Sequence, residues 1–133
     1  LKHIYKNMIK TPKNSYKDIY IENKSKFYAF LFPLKDKDDF KNILLNLKKE
    51  YKDARHICYA LKIDGFAKYD DDGEPKGTAG QPLYWLMNTK EIDKCMLVVV
   101  RYFGGIKLGA GKLYRAYLKS GALVVEKFLK EEE

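Results

Sequence analysis

The sequence predicts an α+β two-layer sandwich, a mixed β-sheet with helices on one face. Two observations identify its elements. The stretch Cys95-Met-Leu-Val-Val-Val100 is short, uncharged and β-branched, as a buried strand should be. Segments 36–51 and 112–130 repeat their apolar residues with helical period. A third observation is their order, β-β-α-β, a long loop, then α-β-α, with no repeat, linker or second domain.

Residues 1–13 are basic and irregular and read as a lead-in, ordered or frayed, to a single domain spanning 1–133. Tyr16 to Glu22 forms a first strand and Phe27 to Leu34 a second, joined through Asn23-Lys-Ser25 as a hairpin. Asp36 caps a helix running to about Tyr51. Phe40, Ile43, Leu44, Leu47 and Tyr51 form its one apolar face. Acids in its first turn and lysines in its last suit the helix dipole. His56 to Ile63 is the third strand, with His56, Cys58, Ala60 and Lys62 on one side. Gly65 to Gly80 reads as one long acidic loop ending in a capping box, Thr78-Ala-Gly-Gln81, before a short helix over 82–87. Strand 95–102 and helix 112–130 complete the chain.

Composition narrows the function classes. With 133 residues and 46% hydrophobic content, the chain can bury a real core. No uncharged apolar run exceeds six residues, far short of a membrane span. Cys58 and Cys95 fall in apolar strand patterns, so buried free thiols in a reducing compartment fit better than a disulfide. The net charge of +8 invites polyanions, although lysine accounts for 23 of the 26 basic residues, a skew that A/T-rich coding alone would give. The three arginines, Arg55, Arg101 and Arg115, are more telling in so lysine-rich a chain. Each lies in a segment notable for other reasons, and arginine suggests planar, bidentate pairing.

Between strand 95–102 and the last helix lie Gly104, Gly105, Gly109 and Gly111, interleaved with Arg101, Lys107, Lys112 and Arg115. Glycines let backbone N–H groups approach a ligand, and a following helix N-terminus favours an anion. The turn therefore reads either as a phosphate or carboxylate seat or as a device for close helix–sheet packing. It is not a Walker loop: Ile106 stands where the first glycine belongs and Leu113 where the hydroxyl belongs. The dinucleotide fingerprint fails at Tyr114.

The second notable string, Tyr69 to Gly80, sets Asp70, Asp71, Asp72 and Glu74 just before Pro75. Adjacent carboxylates need a cation. Either Mg²⁺ supports metal-assisted phosphoryl chemistry, or Asp71, Asp72 or Glu74 pairs internally with Arg101 or Arg115. If both strings build one site, the loop must fold over the glycine turn. No nucleophile–base arrangement accompanies His3 or His56, so no catalytic residue is assigned. His56 with Cys58 and one distant cysteine is too small a set for zinc, and no metal or other cofactor is assigned.

Three stretches carry a family resemblance. They are Asp53-Ala-Arg-His-Ile-Cys-Tyr-Ala60, Asp71-Asp-Gly-Glu-Pro-Lys-Gly-Thr-Ala-Gly-Gln-Pro82, and Val99-Val-Arg-Tyr-Phe-Gly-Gly-Ile-Lys-Leu-Gly-Ala-Gly111 with Leu113-Tyr-Arg-Ala-Tyr117. Together they resemble the Impact family, including its YigZ-like bacterial members, over roughly residues 22 to 128. The resemblance implies a fold like the second domain of small-subunit ribosomal protein five and a cytoplasmic role around translation. Eukaryotic members restrain the amino-acid-starvation kinase by competing for its activator on ribosomes; bacterial members are thought to bind nucleic acid. The motif residues carried over are Arg55, His56, Asp71, Asp72, Gly73, Glu74, Pro75, Gly77, Thr78 and Gly80. Many relatives have a glycine where this chain has Lys112. Neither an RWD-type domain nor the ferredoxin-like domain of bacterial members falls within these residues.

Three partners follow from these readings. An RNA or a ribosomal surface would meet Arg101, Lys107, Lys112 and Arg115, with Tyr102 or Phe103 stacking on bases. An acidic translation-regulatory protein would use the same cations. A phosphorylated metabolite with Mg²⁺ is the enzymatic alternative.

Overall fold

A computed structural model describes residues 8–133. His3 and the first half of the lead-in lie outside the described residues. The second half is ordered: Lys10 donates to the Glu91 carbonyl at 2.9 Å and accepts from the Asp93 N–H at 2.9 Å. Pro12 is buried.

Five strands, β1 (Tyr16–Glu22), β2 (Ser25–Pro33), β3 (His56–Ile63), β4 (Phe66–Asp70) and β5 (Cys95–Tyr102), form one sheet in the order β1-β2-β5-β3-β4. Among the described residues three helices accompany them: α1 (Asp39–Glu50), α2 (Gly80–Thr89) and α3 (Gly109–Glu131). β5 is central, which is why Cys95 to Val100 carries no charge and is wholly buried. The α+β class is the one the sequence predicts, with two differences in detail. Every strand pair is antiparallel, so the sheet is not mixed.

The second difference concerns the helices, which do not share one face. On one side, α2 and α3 cover Phe27, Ala29, Leu31, Cys58, Leu97 and Val99. On the other, the apolar stripe of α1 packs against Phe30, Tyr59, Leu61, Met96 and Val98. Strands β2, β3 and β5 are apolar at both parities, and a sheet of that kind must be covered on both sides.

Local corrections have equally plain causes. Asp64-Gly65 is a two-residue hairpin turn, with φ of 47° and 84°, and leads into β4 where the sequence reading saw only loop. Asn23-Lys24 makes the corresponding turn between β1 and β2, with φ of 47° and 67°. Asp36 does not cap α1. Instead Asp39 reaches back, and its Oδ2 accepts from the N–H groups of Lys35 at 2.9 Å and Asp36 at 3.0 Å. Thr78 does not cap α2 either; its hydroxyl donates to the Pro75 carbonyl.

Candidate functional site

The segment 71–79 is a built structure, and Asp71 organises it. Its Oδ1 accepts from the N–H groups of Ala79 (3.1 Å) and Gly80 (2.8 Å), and its Oδ2 from Gly77 (2.8 Å). The carboxylate thus holds the start of α2 from nine residues upstream, where a dipole favours negative charge. Gly80 permits this packing because a Cβ there would lie 2.7 Å from the Asp70 backbone. Asp72 and Gly73 take positive φ, and Asp72 Oδ2 accepts from the Ile57 N–H at 2.7 Å. These contacts bind the segment to the start of β3.

Glu74 is thereby carried inside, to 7% exposure. Arg101 Nη1 donates to both its oxygens, at 2.9 and 2.8 Å, and the Tyr117 hydroxyl donates to Oε2. His56 Nε2 lies 3.3 Å from Oε1. His56 Nδ1 lies 2.7 Å from the Asp72 carbonyl, which can only accept, so that nitrogen donates. Arg101 is 6% exposed, sits over the Phe27 ring at 5.5 Å and donates from Nη2 to Ser25 Oγ at 3.4 Å. The acidic loop does fold over the glycine turn, and Glu74–Arg101 is the pair that joins them. Burial pushes the Tyr117 hydroxyl well above its ordinary pKa, with the Cys58 thiol and the Glu74 carboxylate adding to the shift. Burial likewise raises the thiols of Cys58 and Cys95, both unpaired.

The cations divide into two groups. Arg101 is spent on Glu74 and is not part of any exposed binding face. Lys107, Lys112 and Arg115 are exposed around the first turns of α3, with no carboxylate partner among the described residues. Arg55 is also exposed, has no carboxylate partner among the described residues, and its guanidinium lies 5.0 Å from the centre of the Phe103 ring. Tyr102 points to the opposite sheet face and packs on Tyr28 and Tyr51; Phe103 is the aromatic at the site.

The glycines also divide. Gly104 is a packing position, since a Cβ would lie 2.1 Å from the Lys24 carbonyl carbon. Gly105 and Gly109 have φ of 91° and 76° with open space around them. Gly111 leaves room for Arg115, whose Nη1 lies 3.6 Å from where a Cβ would be. A cavity of about 500 Å³ opens between the two strings, lined by Arg55, His56, Pro75, Phe103, Lys107 and Gly109 among others. The sequence reading missed Tyr117 and Ser25 as members of the buried network. Tyr117 was legible as the i+4 partner of Leu113 on the buried stripe of α3; Ser25 had no local signal.

The Mg²⁺ expectation is not met by this geometry. The three carboxylates are taken by separate internal donors: backbone N–H groups for Asp71 and Asp72, and Arg101 with Tyr117 for Glu74. Among the described residues no three His, Cys, Asp or Glu side chains converge as a metal site would require.

With the fold and its buried ion pair established, the chain can be placed. The Impact N-terminal domain family matches residues 23–125, and the chain belongs to that family. It is 42% identical over 106 residues to the IMPACT family member YvyE of Bacillus subtilis (strain 168), covering 77% of this chain and 48% of that protein. The IMPACT family member YigZ of Escherichia coli (strain K12) is 37% identical over 100 residues, covering 71% of this chain and 48% of that protein. A crystal structure of "an hypothetical protein" superposes with a TM-score of 0.84 at 30% identity, covering 88% of this chain and 59% of that one. The chain thus spans about half the length of these two bacterial relatives.

Proposed function

We propose that residues 1–133 act as one domain in the regulation of translation, binding single-stranded RNA exposed on the ribosome through the rim of the glycine turn. The observation that carries this reading is the set of three exposed cations, Lys107, Lys112 and Arg115, left without carboxylates around the uncapped start of α3. In a domain with four acids in residues 70–74, unpaired cations at one turn point to an outside anion. Phosphates supply that charge at regular intervals, and Phe103, 37% exposed beside Arg55, offers a face on which a base can stack. The acidic string has an internal role here: it neutralises Arg101 and fixes the cavity wall. Membership of the Impact family supports the link to translation, and the cytoplasm is where such a partner is met.

The test is co-sedimentation with ribosomes, with and without nuclease. Association lost after nuclease supports RNA as the partner. Association that persists points to an acidic protein on the ribosome and contradicts the RNA reading.

A further inference from the structure

The cavity beside the rim has a chemistry of its own. Its cationic side chains are Arg55 and Lys107 at the mouth and Arg101 deeper in, and only Arg101 has its charge matched by a carboxylate. Arg101 Nε is buried and has no hydrogen-bond partner among the described residues. Gly109 and Ala110 bring the first turn of α3 to the same cavity. The N-cap of that helix is Leu108, whose side chain cannot accept from the first N–H groups, and no other side chain among the described residues caps them. A Cβ at Gly109 would meet nothing within 4 Å, so the approach to those groups is open. The remaining wall is His56, the Glu74 carboxylate that Arg101 and Tyr117 already engage, and apolar surface from Phe103, Pro75, Leu108 and Leu113.

A backbone phosphodiester carries one charge and needs no pocket. Two unmatched cations, an uncapped helix start and an aromatic wall together suit a doubly charged phosphate monoester on a sugar that also carries a planar base. A volume of about 500 Å³ lies within the range of small-ligand sites and admits one nucleotide. Resting on the RNA reading above, we propose that this cavity receives a terminal phosphorylated nucleotide, so that the domain prefers the phosphorylated end of a single strand. The phosphate sits at the N-terminus of α3 between Arg55 and Lys107, and the base lies against Phe103. The rest of the strand then runs over Lys112 and Arg115.

The test compares one short single-stranded RNA bearing a 5′-phosphate, a 3′-phosphate or only hydroxyl ends, together with a free nucleoside monophosphate. Expected is a preference of about tenfold for one of the phosphorylated ends over the hydroxyl form, and the arm that shows it assigns the end. Arg55→Ala and Phe103→Ala, both at exposed positions, should each reduce that ratio towards one. Lys112→Glu with Arg115→Glu should weaken all the RNAs alike and leave the ratio unchanged. Equal affinity for phosphorylated and hydroxyl ends overturns the pocket while leaving the rim reading intact. A preference that survives Arg55→Ala and Phe103→Ala also overturns it. Binding of the free nucleotide with no RNA bound would overturn the rim reading and the end preference together.

Discussion

Glu74 is a buried charge that its neighbours make tolerable. Arg101 supplies the countercharge, Tyr117 a hydroxyl donor and His56 a third contact. Removing one member of such a group leaves the other charge unpaired in a low-dielectric setting, which costs about 3–5 kcal/mol. Arg101→Ala should therefore lower the urea-derived unfolding free energy by that amount. Lys107→Ala, on the exposed rim, should change it by less than about 0.5 kcal/mol. Removing Glu74 and Arg101 together should cost less than the two single changes added, and denaturant titration of all three variants measures the coupling. Alkaline pH probes the same core. Cys58 and Cys95 have thiols raised from 9.0, Tyr59 is raised from 10.0 to about 12, and Tyr117 is raised well above 10.0, burial being the first cause in each. Groups held neutral in the folded state contribute stability that is fully present below their unfolded pKa values and lost as pH rises through the folded ones. The melting temperature should hold to about pH 9 and then fall as pH rises further; a flat profile from pH 8 to 11 would contradict these assignments.

At the scale of elements, the start of α2 depends on a carboxylate held nine residues upstream. Asp71→Asn replaces charged hydrogen bonds to Gly77, Ala79 and Gly80 with weaker or repulsive contacts, and should cost about 1.5–3 kcal/mol. Gly104→Ala places a methyl against the Lys24 backbone and should cost more than Gly105→Ala, which adds only positive-φ strain of roughly 1 kcal/mol. Denaturant midpoints of the two variants measure the difference.

These positions also show what local sequence carries. β1, β3 and β5 were legible because their composition and punctuation are local properties. Asp64-Gly65 signalled a hairpin too, but β4 is exposed at every residue and has no hydrophobic alternation to mark it. The helix starts were misread for a related reason. Thr78 and Asp36 had the right spacing for caps, yet Asp71 and Asp39 were better placed in space. The Glu74–Arg101 pairing was one of several the sequence left open, since Asp71 and Asp72 competed equally until the turn at Asp72-Gly73 set their directions.

The molecule as a whole separates its charges by depth. Acids in the 71–74 segment are consumed by backbone donors and by Arg101, while Lys107, Lys112 and Arg115 remain outside. That separation leaves three exposed cations side by side at one helix start, at the mouth of one cavity. Its consequence is counterion release on binding RNA. The most direct test is the affinity for a single-stranded RNA measured by fluorescence anisotropy across a salt series. With Arg55, Lys107, Lys112 and Arg115 contacting about four phosphates at about −0.7 each, log K should fall with log salt at a slope near −3. Lys107→Glu with Lys112→Glu should weaken binding and bring the slope to about −1.5 or shallower. A flat salt response, or binding that the double variant leaves unchanged, would contradict the account.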